Sequence, residues 1–228
     1  MVRLTQAFDF LEGLESDFLQ NVVDWLRHMR DPTDVLLDLS HDLGQNLGPW
    51  ETFRFCSLLK LTPADPVRGL GEEVLAEPYN PEGGIPPVAQ AFALAHAHFH
   101  WPSLPAPAAA EVLAHLQTFT DDSLPAAVLD AAQLALTGPQ GLCPDEALFG
   151  QLMGARTQEL GETMVPAGIS PLFEACLLSQ LGAQHPFHRH LRELMSQSQL
   201  SDGSFPSFAQ QRMVRGLVTV KALALLRF

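Results

Sequence analysis

The chain has 228 residues, of which 46% are apolar and only 17% charged, so it can bury a substantial core and must bury many of its helices on more than one side. A net charge of −13 and a pI near 4.9 exclude nucleic acid as the main partner, because phosphate binding requires a basic face, and disfavour an anionic membrane surface. Three widely spaced cysteines, Cys56, Cys143 and Cys176, with no C-x-x-C, argue against a disulfide framework or a thiolate zinc site; reduced, buried thiols in a cytoplasmic protein are expected.

Strand signals are nearly absent: there is one Tyr, and alternating runs of Val, Ile and Thr do not occur. From the N-terminus, segments Leu4 to Met29, Pro32 to Leu43 and Trp50 to Leu61 are predicted to supply one or two helical hairpins. The opening decapeptide has early acids and no long apolar run, so it is not expected to be a secretory signal. No stretch reaches the roughly 20 apolar residues of a membrane span. Polar helices follow at about Pro66 to Leu75, Ala108 to Thr118, Asp145 to Leu160 and Phe187 to Gln197. They alternate with apolar segments 86–100, 125–137, 170–182 and 213–226. The apolar segments open on a small residue, an apolar residue and a proline, as in Gly84-Ile85-Pro86 and Ser123-Leu124-Pro125; proline suits a first helical turn, whose N–H has no helical partner.

The apolar segments also repeat a core motif: a polar residue, a small residue, two variable positions and Leu. The copies are Gln90-Ala-Phe-Ala-Leu94, Asp130-Ala-Ala-Gln-Leu134, Glu174-Ala-Cys-Leu-Leu178 and Lys221-Ala-Leu-Ala-Leu225, starting 40, 44 and 47 residues apart. Such a period reads as stacked helical hairpins. Short Pro/Gly-rich linkers leave no room for a domain boundary, so residues 1–228 read as one helical-repeat domain. Apolar inner helices ringed by polar outer ones predict an all-α, closed or nearly closed α/α barrel of about five to six hairpins. An open HEAT-like solenoid is the alternative. A ring would bring the first and last hairpins together.

Gln199-x-x-Asp202-Gly203-Ser204-Phe205 resembles the Q-x-x-D-G-S-W/F motif of the squalene-cyclase and protein-prenyltransferase repeat. The resemblance implies an α/α toroid around a largely apolar cavity, with the Gln capping helix ends, the Gly permitting a tight turn and the aromatic locking adjacent hairpins. The acid run D-x-D-D of the cyclases and the Asp-x-Cys step of the zinc-dependent transferases do not occur here. The resemblance therefore carries the fold, the cavity and the turn, but not the chemistry.

If the heads of the core motif face one chamber, Gln90, Asp130, Glu174 and Lys221 converge there. Burial would raise the carboxylates, making Asp130 and Glu174 candidate acid catalysts, with Gln90 and Lys221 as ligand contacts; a structural network neutralised by Lys221 is the other reading. His96 and His100 share a helix face four residues apart, as a metal pair would, but no intervening Glu or third ligand accompanies them, so no metal is expected and helix-end capping competes with a ligand role for His96. His185-Pro-Phe-His-Arg-His190 is expected at the surface. Arg212 and Arg215 are placed to hold an anion such as a diphosphate at the cavity mouth, or else to pair with Asp202. No Walker loop, G-x-G-x-x-G or G-x-S-x-G is present, and no cofactor is implied. Two functions follow. One is binding of an apolar or isoprenoid-like molecule in a central cavity, with terpene-cyclase-like acid catalysis as its enzymatic form. The other is a non-catalytic protein-interaction or scaffold module with a filled core.

Overall fold

The computed structural model describes residues 2–14, 16, 19–20, 23, 50, 53–54, 57–58, 65–80, 86–120, 124–162, 168–181, 184–207 and 211–226. The helices expected over 15–49, other than isolated positions, and the Gly83-Gly84 turn lie outside them. Nine helices are described: α1 (Leu4–Glu12), α2 (Asp65–Ala76), α3 (Pro87–His100), α4 (Ala109–Thr118), α5 (Ala126–Thr137), α6 (Glu146–Glu162), α7 (Ile169–Leu178), α8 (Pro186–Gln197) and α9 (Arg212–Leu226). Among the described residues there is no strand, so the chain is all-α.

Proline and side-chain caps mark the boundaries. Pro86 precedes α3 and Pro125 precedes α5, while Pro186 stands in the first turn of α8. At α8 the His185 Nδ1 accepts the Phe187 N–H at 3.3 Å, and at α6 the Asp145 Oδ1 accepts the N–H groups of Ala147 and Leu148 at 3.1 and 3.0 Å. Trp101 and Pro102 end α3, and Gly138 ends α5.

From α3 onward the apolar and polar helices differ in burial, whereas α1 buries only Ala7, Phe10 and Leu11. In α3 every residue from Pro87 to Ala97 is buried, and in α5 and α7 most positions are. In contrast, α4 buries only Ala109, Val112 and Leu116, and α8 only Phe187, His188, Leu191 and Met195, one stripe each. Contacts follow the same alternation. The more buried helices pack in series, α3 on α5, α5 on α7 and α7 on α9, and α9 then packs on α1. The others cover them: α4 lies on α3 and α5, α6 on α5, and α8 on α7 and α9. In addition α3 touches α7 directly, across the helix between them in the series.

The first and last elements meet at the Gln199–Phe205 turn. The Gln199 Oε1 accepts the Arg3 N–H at 2.7 Å, and its Nε2 donates to the carbonyls of Arg3 (3.1 Å) and Gly203 (2.9 Å). One amide thus brackets the peptide that begins α1. Arg3 returns a bond from Nη2 to the Leu200 carbonyl at 2.8 Å. Gly203 has φ +91°, and a Cβ there would collide with the Gln6 carbonyl, so glycine is required both by the backbone and by the close passage of α1. Phe205 is buried and donates its N–H to Thr219 Oγ1 at 3.0 Å, fastening the turn to α9. Gly203 makes the turn and Phe205 is buried as expected, but Gln199 caps no helix end: it bonds the backbone of Arg3, which carries no side-chain cap, and of Gly203.

Candidate functional site

The interior holds one buried acid among the described residues, Glu174 on α7, at 1% exposure. Arg54 grips it with a two-pronged contact, Nε to Oε1 at 2.7 Å and Nη2 to Oε2 at 2.6 Å. The guanidinium also lies 4.0 Å from the ring centroid of Phe92 on α3. From α3, His96 Nε2 meets Glu174 Oε1 at 2.8 Å. Two separate segments thus close on the one carboxylate that α7 presents.

Burial alone would push Glu174 up, but Arg54 and the His96 hydrogen bond outweigh it and hold the carboxyl far below its ordinary value. His96 moves down: burial disfavours its charged form, and Arg54 and Lys221 add to this against the opposing pull of Glu174. A neutral imidazole beside an ionised carboxylate must donate from Nε2, which leaves Nδ1 as the acceptor.

Beside this cluster is a cavity of about 90 Å³ lined by Ser57, Leu58, His96, Phe99, His100, Glu174, Leu177, Leu178 and Leu225. Its wall is almost wholly apolar. Ser57 is 3% exposed, and its hydroxyl has no hydrogen-bond partner. Phe99, also in the lining, is 45% exposed.

The predicted site residues separate. Glu174 is interior, and Lys221, half-buried on α9, is near enough for its charge to act on His96. Gln90 is buried, with its Oε1 unbonded. Asp130 is half-buried on α5 and pairs with Arg156 of α6 at 3.0 Å; burial pushes its pKa up, outweighing Arg156. Asp130 and Glu174 are thus each neutralised by an arginine, not by Lys221 as the structural-network reading had it.

Arg215 does not await an anion either. It pairs with Asp202 and Ser204 in the turn and lies 5.2 Å from the Phe10 ring centroid, while Arg212 is over the same ring at 5.7 Å. His96 caps no helix end: it is the second partner of Glu174. His188, expected at the surface, is buried and stacked on Phe173 at 4.8 Å and 11°. Cys143 and Cys176 are free thiols, and burial pushes Cys176 up to about 12. No group of three or more His, Cys, Asp or Glu among the described residues is arranged to hold a metal, and no described helix is long and apolar enough to cross a membrane.

Arg54 was absent from the sequence-predicted set. The signal was there: Trp50, Phe53, Ser57 and Leu58 are buried at helical spacing, and Arg54 stands four residues after Trp50 on that same stripe. A lone arginine on an apolar stripe calls for a buried acid, and Glu174 stands in the middle of an apolar helix. Comparison with protein-family models, curated proteins and solved structures found no match.

Proposed function

We propose that the protein is a non-catalytic interaction module: a ring of paired helices of the squalene-cyclase and prenyltransferase repeat type, with a core filled by its own side chains and a surface that receives a protein partner. The observation that carries this reading is the state of Glu174. An acid catalyst for carbocation chemistry must be protonated and reachable. Glu174 is held ionised by a two-pronged arginine, and both of its oxygens are engaged.

Size points the same way. Pockets for drug-sized ligands run to roughly 300–1,000 Å³, and the cavity beside Glu174 measures about 90 Å³. Phe53, Phe92, Phe173 and Phe205 fill the interior. Ring closure is supported by the Arg3–Gln199 bonds, the packing of α9 on α1 and the direct α3–α7 contact, which a straight stack of hairpins would not make. Exposed Leu4 and Leu200 flank the Arg3 joint and offer a partner apolar contact, and the charge of −13 suits a basic one.

The test is incubation with farnesyl diphosphate and with a squalene-type polyene, followed by product analysis, alongside thermal melts of Glu174→Gln. No turnover and a clear fall in Tm are expected. Turnover abolished by Glu174→Gln at an unchanged Tm would overturn the proposal.

A further inference from the structure

The cavity beside the Arg54–Glu174–His96 cluster is not consumed by the scaffold reading. It lies among α3, α7, α9 and the segment carrying Ser57 and Leu58, and Leu58, Phe99, Leu177, Leu178 and Leu225 stand in its wall. The polar groups nearby are spent or sealed. Both Glu174 oxygens are engaged by Arg54 and His96, His96 Nε2 is bonded to Glu174, and the Ser57 hydroxyl is buried with no surface on the space. A water is held in a protein interior by about two to four hydrogen bonds, and this wall presents almost no polar surface to make them. An alcohol, an amine or an acid meets the same obstacle, because its polar group would leave water and find no partner. An apolar molecule carries no such cost, and it restores the dispersion contacts that atoms facing a gap lack.

We propose that this cavity is a binding site for a small hydrocarbon of about three to four carbons, held by apolar contact alone. Volume sets the size. An apolar cavity of roughly 150 Å³ takes benzene, with its six carbons, so about 90 Å³ takes roughly three to four. Access does not require the core to unfold. Phe99 is 45% exposed and Leu177 half-buried, so the wall is in places one side chain thick, and a rotamer change there admits the ligand. Once seated, the hydrocarbon touches α3, α7 and α9 together, and its binding stabilises their packing.

The test equilibrates the intact protein in turn with xenon, propane, isobutane, n-propanol and benzene, while following isotope-labelled leucine methyl resonances by NMR. Saturable shifts at Leu177, Leu178 and Leu225 are expected with xenon, propane and isobutane. Isobutane should bind about tenfold or more tightly than n-propanol, which has as many non-hydrogen atoms but carries a hydroxyl into a wall without partners. Benzene, too large for the space, should bind about tenfold or more weakly than isobutane. Leu177→Phe, at a half-buried wall position, should abolish isobutane binding. Where a melt shows that variant unfolded, the ligand series on the unaltered protein decides alone. Each of the following overturns the proposal: no saturable shift with isobutane, n-propanol or benzene binding as tightly as isobutane, or an unchanged titration in the folded wall variant. Isoprenoid turnover is read separately, so failure here leaves the scaffold reading standing.

Discussion

Arg54–Glu174 and Arg215–Asp202 are both arginine–carboxylate pairs supported by a further side chain, yet their surroundings are opposite. Glu174 is sealed inside with side-chain exposure of 2%, whereas the Asp202 side chain is 46% exposed in the turn that joins the last hairpin to α1. In the core, water cannot replace a missing partner, so the two groups must be present together. At the surface, water and salt can replace either. The inner pair therefore sets which packing is allowed, and the outer pair only trims the stability of a joint that Gly203 and Phe205 already hold.

The sharpest break of this comparison is to orphan the inner carboxylate. Arg54→Met should cost about 3–5 kcal/mol in denaturant melts, because an uncompensated buried charge remains. Arg54→Met with Glu174→Leu should recover most of that loss. A single substitution costing under about 1 kcal/mol, the scale of an exposed pair, would erase the distinction.

At the joint, packing should outweigh charge. Phe205→Ala should cost about 3–5 kcal/mol, the usual loss for a buried Phe. Gly203→Ala should cost about 1–3 kcal/mol, from the left-handed backbone and the collision with Gln6, and should speed hydrogen exchange in α1 selectively. Equal protection of α1 in the variant would show that the turn does not hold the first helix.

Acid sharpens the same contrast. The pKa of His96 is lowered on folding, so its contribution is fully present above its ordinary value of 6.5 and is lost as pH falls below that. Glu174 is also lowered, so its contribution is present above 4.5 and fades below it. Tm should fall as pH drops from 7 to 5, and again below 4.5. His96→Gln should flatten the first decline while leaving the second.

What could be read in the sequence was whatever depends on local composition. The alternation of apolar and polar helices shows in Pro86 and Pro125 and in the runs behind them, and the Gly203–Phe205 turn shows because its residue types are demanded by backbone and packing together. What could not be read depends on rotation and distant pairing. Asp130 heads the same motif as Glu174, but it stands half-buried and pairs with Arg156 of the neighbouring α6, a partner that the motif does not encode. Arg54 finds its acid 120 residues away, and no local pattern in Phe53-Arg54-Phe55 says which acid that is. His188 lay on the stripe Phe187, Leu191 and Met195, whose spacing outweighed the polar neighbours that suggested a surface position.

The smallest effect is expected where the sequence match to a known motif is best. Arg215 contacts Asp202 and Ser204 and lies over Phe10, so Arg215→Ala removes an ion pair and a ring contact together. Asp202 nonetheless remains served: its Oδ1 accepts the Ser204 N–H at 3.1 Å and the Ser204 hydroxyl at 2.7 Å, which preserves the turn. Burial would raise Asp202, but these two bonds, with Arg215 behind them, keep it below its ordinary value. With most of the carboxylate in water, Arg215→Ala should cost about 0.2–1 kcal/mol. That loss should shrink further in 1 M salt, where the screening length is about 3 Å. A loss above about 2 kcal/mol that salt does not reduce would mean the outer pair behaves as a buried one, and the contrast with Arg54–Glu174 would fail.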